Sequence, residues 1–353
     1  MAFQTLKAYL RTAEPYRSNF SERMLLHKVP LLDTVYKAWL GRPWIKRRPT
    51  PITNLKAGCY IGAIPHYRTG IGHILAEWNT GLLWSKQLGL PFAHCPLRQP
   101  WNNFLGLTDF PDFEAARRTP GLRYVQLPPI SDNENPVDSF VITSIINHYG
   151  QKAPTLFYLY YGQNSFRQDE TSEILRAKYF ARRKADPMPS VRKQGLINVS
   201  VHVRRRNLED LSNPRVHDTN SAFYKSRYLG NDFFLSACHA IESSLGPNRT
   251  VFNVFSQGKP DEFKAFDVLR NVRFFLDTDV LETFHNLVIG DILIVSPSSF
   301  SFKAGMISPG LKIASHPWWH YVPENSKWCR IGTDPTHDEE RVSAFVTAGL
   351  SYG

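Results

Sequence analysis

Apolar and polar residues alternate strictly from Ile197 to Val203. A two-residue period is the pattern of a β-strand, and it places His202 and Arg204 on one face of that strand. Arg205 and Arg206 follow where the strand should release into a loop. Guanidinium groups at the carboxyl end of a strand favour a bound anion, most often a phosphate. The sequence therefore predicts an anion site after this strand, in preference to a solvated basic turn.

The first half of the chain predicts a parallel βαβ unit. A short strand is expected at 58–61, and a glycine turn at 69–72 follows it. The next helix has an apolar face and should stop at Gly89, directly before a second strand at 90–94. Between 96 and 150 the chain is irregular and rich in proline and asparagine, which predicts long loops that carry specificity.

The second half alternates strands and helices more regularly. After the strand that ends at Val203, further strands are predicted at 250–255, 272–276, 291–295 and 311–315, with helices between them. This order predicts a doubly wound parallel sheet, whose ligands bind beyond the carboxyl ends of the strands.

Three polar segments fall at those carboxyl ends and should face one crevice: 204–205, 256–258 and 296–299. Serines that open a helix offer hydroxyls and backbone N–H groups to a phosphate. Ser298 or Ser299 alone could equally cap its helix. Arginines and a serine-capped helix at neighbouring strand ends together favour a diphosphate site.

Length and composition narrow the class of protein. A chain of 353 residues suits two domains, and the breaker run at 186–189 marks the expected boundary. The net charge of +11 predicts acidic partners, but the chain has no nucleic-acid-binding motif, so we expect no nucleic acid among them. The four cysteines lack metal or disulfide spacing, which favours a cytoplasmic protein. No run is apolar enough to span a bilayer, although the basic segment 1–54 could attach peripherally to an anionic membrane.

The motif His202–Arg205 and the later segment 291–299 resemble those of the inverting fucosyltransferase superfamily, which includes α1,6-, α1,2- and protein O-fucosyltransferases. The glycine turn 69–73 is similar to the turn that opens the family's first domain. This resemblance implies an α/β protein of the GT-B type, in which two Rossmann-like domains with parallel sheets face each other across a cleft. The expected divisions are a basic N-terminal extension at 1–54, an acceptor domain at 55–190, a donor domain at 191–330 and a C-terminal tail at 331–353.

The resemblance further implies transfer of a sugar, L-fucose, from GDP-fucose or a related GDP-sugar to a glycan hydroxyl, with inversion and with no metal or other cofactor. Arg204 or Arg205 would hold the β-phosphate, and Glu282 or Thr283 falls where relatives place a carboxylate that contacts guanine. The expected donor-binding residues are His202, Ser256, Gln257, Glu282, His285, Ser298 and Ser299. The residues expected to line the cleft are Arg68, Gly70, Gly72 and His73.

The sequence departs from the family at Asn207, where relatives often carry aspartate. A general base must then come from the following loop, with Glu209 and Asp210 as the nearest candidates and Asp218 as a third. Each of these carboxylates could equally be a solvated loop charge. If no base exists, the chain would be a GT-B protein that binds a glycan or a nucleotide without turnover.

A different chemistry is suggested by Asp277 and Asp279, since an Asp-x-Asp triplet after a strand can hold a metal ion on a UDP-sugar. The same triplet also suits the acidic first turn of the helix that begins at Val280. We favour the capping role, because the arginines already supply positive charge. Asp291, at the start of a buried strand, is expected to be structural.

Overall fold

The computed structural model describes residues 51–66, 69–128, 136–160, 168–205, 219–316, 322–323, 325–332 and 338–351. These residues form two parallel sheets with helices around them, so the predicted α/β class is confirmed. They divide into two compact units. The second unit begins its continuous part at Ser172 and also takes in Gly70–His73 and Gln99–Leu107.

The first unit contains a four-stranded parallel sheet in the order β2-β1-β4-β3. Trp84, Phe157 and Ile146 are buried in its core. The strands are β1 (Tyr60–Ile64), β2 (Phe92–Ala93), β3 (Arg123–Gln126) and β4 (Thr155–Tyr160), and the helices are α1 (Ile71–Leu88), α2 (Trp101–Phe104, whose residues belong to the second unit), α3 (Phe113–Arg117) and α4 (Pro136–Gly150).

The long loops predicted between 96 and 150 are wrong, because this segment contains α2, α3, β3 and α4. Proline marks the first residue of α4, where its missing N–H costs nothing. Val141, Ile142, Ile145 and Ile146 then recur at helical spacing and are buried. The prolines that suggested loops punctuate short elements instead of preventing them.

The second unit contains a six-stranded parallel sheet in the order β10-β9-β8-β5-β6-β7. Counted from its own first strand this order is 3-2-1-4-5-6, the Rossmann order, and it reverses between β5 and β8. The strands are β5 (Ile197–Val203), β6 (Thr250–Ser256), β7 (Val272–Leu276), β8 (Ile292–Val295), β9 (Leu311–Ser315) and β10 (Trp328–Ile331). The helices are α5 (Ser172–Ala185), α6 (Ala222–Arg227), α7 (Asn231–Leu245), α8 (Val280–Val288), α9 (Ser299–Ile307) and α10 (Glu339–Ser351), with a 3-10 helix at Pro260–Val268.

The second unit is longer at both ends than the donor domain expected at 191–330. At its start, α5 packs on α9, where Arg176 donates to the carbonyls of Ile307 and Ser308, so the unit begins before the expected boundary at 190. At its end, the segment expected to be a tail forms part of β10 and α10, whose Val342 and Val346 are buried. The extension predicted at 1–54 lies outside the described residues up to 50.

Two observations concern the cellular environment expected from the sequence. The four cysteines are free thiols, as their spacing suggested. In the part of the chain that the structure describes, every helix is too short or too polar to cross a membrane. The compartment and any peripheral attachment to a membrane remain predictions.

The beginnings of α1 and α9 touch each other through backbone. A Cβ on Gly72 would lie 2.5 Å from the backbone nitrogen of Phe300 and 2.6 Å from Cβ of Ser299. Glycine is therefore required at 72, because no side chain fits between the two helices. A Cβ on Gly70 would meet nothing within 4 Å.

We predict that Gly72→Ala destabilises the protein by about 2 kcal/mol or more, since the added methyl group meets backbone that cannot rotate away. Gly70→Ala is the matched control and should cost less than about 1 kcal/mol. Thermal unfolding measures both, and about 1 kcal/mol corresponds to roughly 2–4 °C for a unit of this size. Equal midpoints for the two variants would contradict the packing described.

Candidate functional site

The carboxyl ends of β5 and β8 are joined by the hydroxyl of Ser296. The backbone N–H of Arg204 donates to Ser296 Oγ at 2.8 Å, and this hydroxyl donates in turn to the carbonyl of His202. Ser296 is buried. The strand order reverses at this point, and open parallel sheets bind ligands beside such a reversal. The joint therefore fixes the backbone of Arg204 at the place where the fold favours a ligand.

The side chain of Arg204 turns toward the beginning of α9. Its Nη1 donates to Ser298 Oγ at 3.2 Å, and its guanidinium lies 5.8 Å from the centre of the Tyr228 ring. Ser298 holds the N-cap position of α9, but its side chain makes no capping hydrogen bond to that helix. The hydroxyl of Ser298 thus contacts the arginine, and the simple capping interpretation does not hold for this residue.

The side chain of Arg205 points toward the beginning of α7. Its guanidinium donates to the carbonyl of Leu229 at 3.4 Å and to Asn231 Oδ1, and it lies 5.3 Å from the centre of the Phe263 ring. Burial lowers the pKa of this guanidinium, while Glu262 and Tyr224 act in the opposite direction. Arg205 therefore anchors the end of β5 to the beginning of α7, and of the two arginines Arg204 is the one that meets the serines.

Further cations gather around Arg204. Burial, together with the positive charges of Arg227, Arg204 and Lys303, lowers the pKa of His73 to about 4. Lys303 lies in α9, only 1% exposed, and burial lowers its pKa to about 7. We call Arg204, Arg227 and Lys303, together with the neutral His73 beside them, the cationic cluster. Positive charge beside a helix N-terminus is an arrangement that attracts anions.

Sequence analysis identified Arg204 and His73 but missed Arg227 and Lys303. Lys303 had a signal, since it is the one charged residue between Ser296 and Ser308 in a segment of small and apolar residues. Lysine is almost never fully buried unless its amine has a partner, so a lysine in such a helix indicates a specific role. Arg227 had no comparable signal, because it is one of several basic residues near the end of a short helix.

His202 lies behind Arg204 on β5. Its ring centre is 5.6 Å from that of Phe300, and burial together with the charge of Arg204 lowers its pKa to about 3. Its Nδ1 is buried and, within the described residues, has no hydrogen-bond partner. A buried ring nitrogen without a partner costs about 1–3 kcal/mol. His202 therefore presents a neutral ring with hydrogen-bonding capacity to spare.

Ser256 and Gln257 follow β6 at the same edge of the sheet. Ser256 Oγ donates to the carbonyl of Val203 at 2.7 Å, so this hydroxyl joins β6 to β5. Gln257 is exposed beside it. A direct role for either residue in donor binding remains a prediction, and for Ser256 the structure also provides a structural role.

The residues expected to contact the base lie on α8. Glu282 is exposed, and the Thr283 hydroxyl shares a hydrogen bond of 2.8 Å with Thr278. His285 is buried, with its Nδ1 at 2.7 Å from the Tyr179 hydroxyl, and burial lowers its pKa to about 4. His285 thus packs against α5, while Glu282 faces solvent.

The Asp-x-Asp triplet has the capping role that we favoured. The Asp279 carboxylate accepts from the backbone N–H groups of Leu281 and Glu282 at the start of α8. Asp277, at φ +52°, accepts from Gly258 N–H at 3.3 Å. Among the described residues, histidines, cysteines and carboxylates form no group of three that could hold a metal ion.

Asp291 is structural, as expected. It pairs with Arg192 at 2.8 Å and accepts from the backbone N–H of Asn198, at the amino end of β8. That end is opposite to the cationic cluster.

Arg206 lies outside the described residues, and so do five candidate residues that the sequence analysis named. They are Arg68, Asn207, Glu209, Asp210 and Asp218. Their roles remain predictions.

Comparison with known proteins assigns no family. No family model matches the chain, and no curated protein does. Among solved structures, one titled "OtsA apo structure" is similar at 12% identity and a TM-score of 0.35 over 79% of this chain. A UDP-forming trehalose-phosphate synthase from Burkholderia xenovorans is similar at 9% identity and a TM-score of 0.31, also over 79% of this chain. This chain spans 64% of the length of each of these two. These similarities are too weak to support a function.

The different environments of the two arginines predict different effects on stability. Arg205→Ala removes charge-assisted hydrogen bonds that anchor α7 and should destabilise the protein by about 1.5–3 kcal/mol. Arg204→Ala removes one cation from a crowded cluster, so we expect a cost below about 1 kcal/mol. Thermal unfolding of both variants tests this. A larger loss for Arg204→Ala would show that we have interchanged their roles.

The buried histidines predict sensitivity to acid. His73, His202 and His285 have lowered pKa values in the folded state, so below about pH 6.5 the unfolded chain binds more protons and stability falls as pH falls. His285→Gln should reduce this loss by about 1.4 kcal/mol per pH unit near pH 5. The check is the unfolding midpoint of both proteins from pH 7 to pH 4.5. Parallel curves would contradict a neutral, buried His285.

Proposed function

We propose that this protein is a glycosyltransferase of the GT-B type that transfers a sugar from a GDP-sugar, L-fucose from GDP-fucose, to a glycan hydroxyl with inversion and without a metal ion. The observation that carries the proposal is the contact between Arg204 and Ser298 at the strand reversal between β5 and β8. The resemblance of 202–205 and 291–299, the segments that hold these two residues, to fucosyltransferase motifs supports GDP-fucose as the donor.

The electrostatics of the site suit a leaving diphosphate. Breaking the bond between the sugar and the phosphate leaves the nucleoside diphosphate with additional negative charge. Arg204 would bind the β-phosphate as a fork of two donors, while the first N–H groups of α9 and the hydroxyl of Ser298 contact its oxygens. Positive groups held in place before the reaction stabilise that charge without reorganisation.

His202 has a separate role in this proposal. Its ring centre lies 5.6 Å from that of Phe300, and desolvation together with the charge of Arg204 keeps it neutral at physiological pH. The ring thus adds contact and orientation to the donor without adding charge.

The remaining chemistry belongs to the acceptor side. A general base must remove the proton of the acceptor hydroxyl as this oxygen attacks the sugar from the face opposite to the phosphate, which gives inversion. Glu209 or Asp210 would act as this base, since each follows the arginine motif within a few residues. Gly70, Gly72 and His73 would line the cleft beside the diphosphate.

The test is a thermal-shift titration with GDP-fucose, GDP-mannose, GDP, UDP and UDP-GlcNAc, each with and without EDTA. A ligand at about 100 times its Kd stabilises the fold by about 2.7 kcal/mol. We expect EDTA-insensitive stabilisation by GDP and GDP-fucose. Arg204→Ala should weaken binding about 10- to 100-fold, because it removes charge-assisted hydrogen bonds worth about 1.5–3 kcal/mol, and it should lower the rate of GDP release from GDP-fucose by about 10²–10³.

Arg270→Ala is the matched control. It removes the same charge from an exposed arginine that precedes the edge strand β7, at the amino ends of the strands and away from the site at their carboxyl ends, and should change neither binding nor GDP release. If UDP-sugars stabilise the protein only in the presence of a metal ion, the nucleotide-sugar site would be assigned to Asp277 and Asp279. Binding of GDP-fucose with no GDP release in the presence of glycans would support a protein that binds without turnover. No stabilisation by any nucleotide would overturn the proposal.

A further inference from the structure

The turn after β6 is fixed on both sides of one exposed residue. Ser256 Oγ donates to the carbonyl of Val203 on β5 at 2.7 Å, and the carbonyl of Ser256 accepts from the backbone N–H of Asp277 after β7 at 3.0 Å. The backbone N–H of Gly258 donates to the Asp277 carboxylate at 3.3 Å. Gln257 lies between these anchors and is exposed. The side chain of Gln257 therefore extends from backbone that β5 and β7 hold in place.

Gly258 and Glu262 give this turn its shape. Gly258 has φ +114°, in the region that favours glycine, and a Cβ there would lie 2.8 Å from Oε1 of Glu262. The same Oε1 accepts from the backbone N–H of Lys259 at 2.9 Å. Burial lowers the pKa of Arg205, and the negative charge of Glu262 opposes this shift. The Glu262 carboxylate thus packs on the turn, binds its backbone and attracts the arginine that follows β5.

The place of this turn in the sheet suits the ribose of a nucleotide. β6 is the next strand beyond β5, so with strands about 4.8 Å apart its end lies about 7 Å from the middle of the reversal between β5 and β8. A diphosphate bound at the reversal can place its ribose there, because one CH2–O link joins the two. In dinucleotide-binding domains with this strand order, a side chain after the second strand binds a ribose hydroxyl, and β6 is the second strand of this unit.

We propose that the carboxamide of Gln257 binds the ribose hydroxyls of the nucleotide, and that Glu262 is the positioning residue that holds the turn for this contact. The inference rests on the proposed function for the place of the diphosphate. It adds a ribose subsite and a residue that selects ribonucleotides.

The chemistry of a carboxamide fits two neighbouring hydroxyls. Its oxygen accepts from one hydroxyl while its NH2 group donates to the other. The acidic side chain that dinucleotide-binding domains use at this place would bring negative charge toward a diphosphate. A neutral glutamine binds the same hydroxyls without that repulsion.

Isothermal titration calorimetry of the full chain tests the ribose contact by comparing GDP with 2′,3′-dideoxy-GDP, which lacks both ribose hydroxyls. The wild-type chain should bind dideoxy-GDP about fivefold or more weakly than GDP, since hydrogen bonds between neutral groups are lost. Gln257→Ala should bind GDP more weakly by a similar factor and should no longer distinguish the two nucleotides. Gln194→Ala is the matched control, because this exposed glutamine precedes β5 at the amino ends of the strands, and it should keep the wild-type difference.

Three further variants test the positioning role through the ratio of the two Kd values. Glu262→Ala should remove most of the difference between GDP and dideoxy-GDP, because the turn loses the acceptor for the Lys259 N–H. Glu262→Gln keeps an oxygen for that hydrogen bond and should restore most of the difference. Asp261→Ala is the matched control, since it removes a neighbouring exposed carboxylate that pairs with Lys264, and it should keep the wild-type ratio.

Inorganic pyrophosphate separates a ribose contact from a general loss of structure. It has no ribose, so it should bind Gln257→Ala as tightly as the wild-type chain. Weaker binding of pyrophosphate to this variant would show a structural role and overturn the ribose contact.

The remaining outcomes separate the two proposals. Equal affinity of the wild-type chain for GDP and dideoxy-GDP, or a difference that persists in Gln257→Ala, would overturn the ribose contact and leave the proposed function intact. A difference that persists in Glu262→Ala would overturn the positioning role of Glu262. If UDP binds and GDP does not, and Gln257→Ala removes a difference between UDP and its dideoxy analogue, the ribose contact stands and the GDP donor is wrong. If no nucleotide binds, both proposals are overturned.

Discussion

The hydroxyl of Ser296 is the constraint on which the site depends. It accepts from the backbone of Arg204 and donates to the carbonyl of His202, and so it fixes the last residues of β5 against the end of β8. These two strands lie where the strand order reverses, and α9 starts three residues after Ser296. If this joint moved, neither the guanidinium of Arg204 nor the ring of His202 would keep its place beside the helix.

The cationic cluster lies around the residue that this joint fixes, Arg204, and its members repel one another. Lys303 is buried and His202 is half-buried, and desolvation lowers the pKa of each; two arginines lie close enough to lower the pKa of His73. Repulsion and desolvation of this kind are tolerated where a ligand relieves them. Gly72 brings the beginning of α1 against that of α9, so two helix N-termini meet beside these cations. We infer that the fold holds the cations in place for an anion, which would then need little reorganisation of the protein to bind.

Sequence patterns predicted the second sheet better than the first. In β5 the alternation of residues was visible because only one face of the strand carries the polar residues. Gly89 correctly marked the end of α1, and Ser298 marked the beginning of α9. The prolines between 96 and 150 concealed β3 and α4, since proline at the first helical position resembles a breaker in the sequence. For the site, Arg204 and Ser298 were found because both end up at strand ends. Arg205 could not be separated from its neighbour, because its contact with Asn231 joins residues 26 positions apart. Pairings of that kind depend on tertiary packing and leave no local pattern.

The most direct test of the account is a crystal structure of the chain with GDP-fucose. The account predicts the diphosphate within hydrogen-bond distance of the Arg204 guanidinium and of the backbone N–H groups at the start of α9, beside the reversal between β5 and β8. Arg205 should keep its contacts with Leu229 and Asn231. A nucleotide bound at another edge of the sheet, or one whose phosphates are held by Arg205 and a metal ion at Asp277, would contradict it.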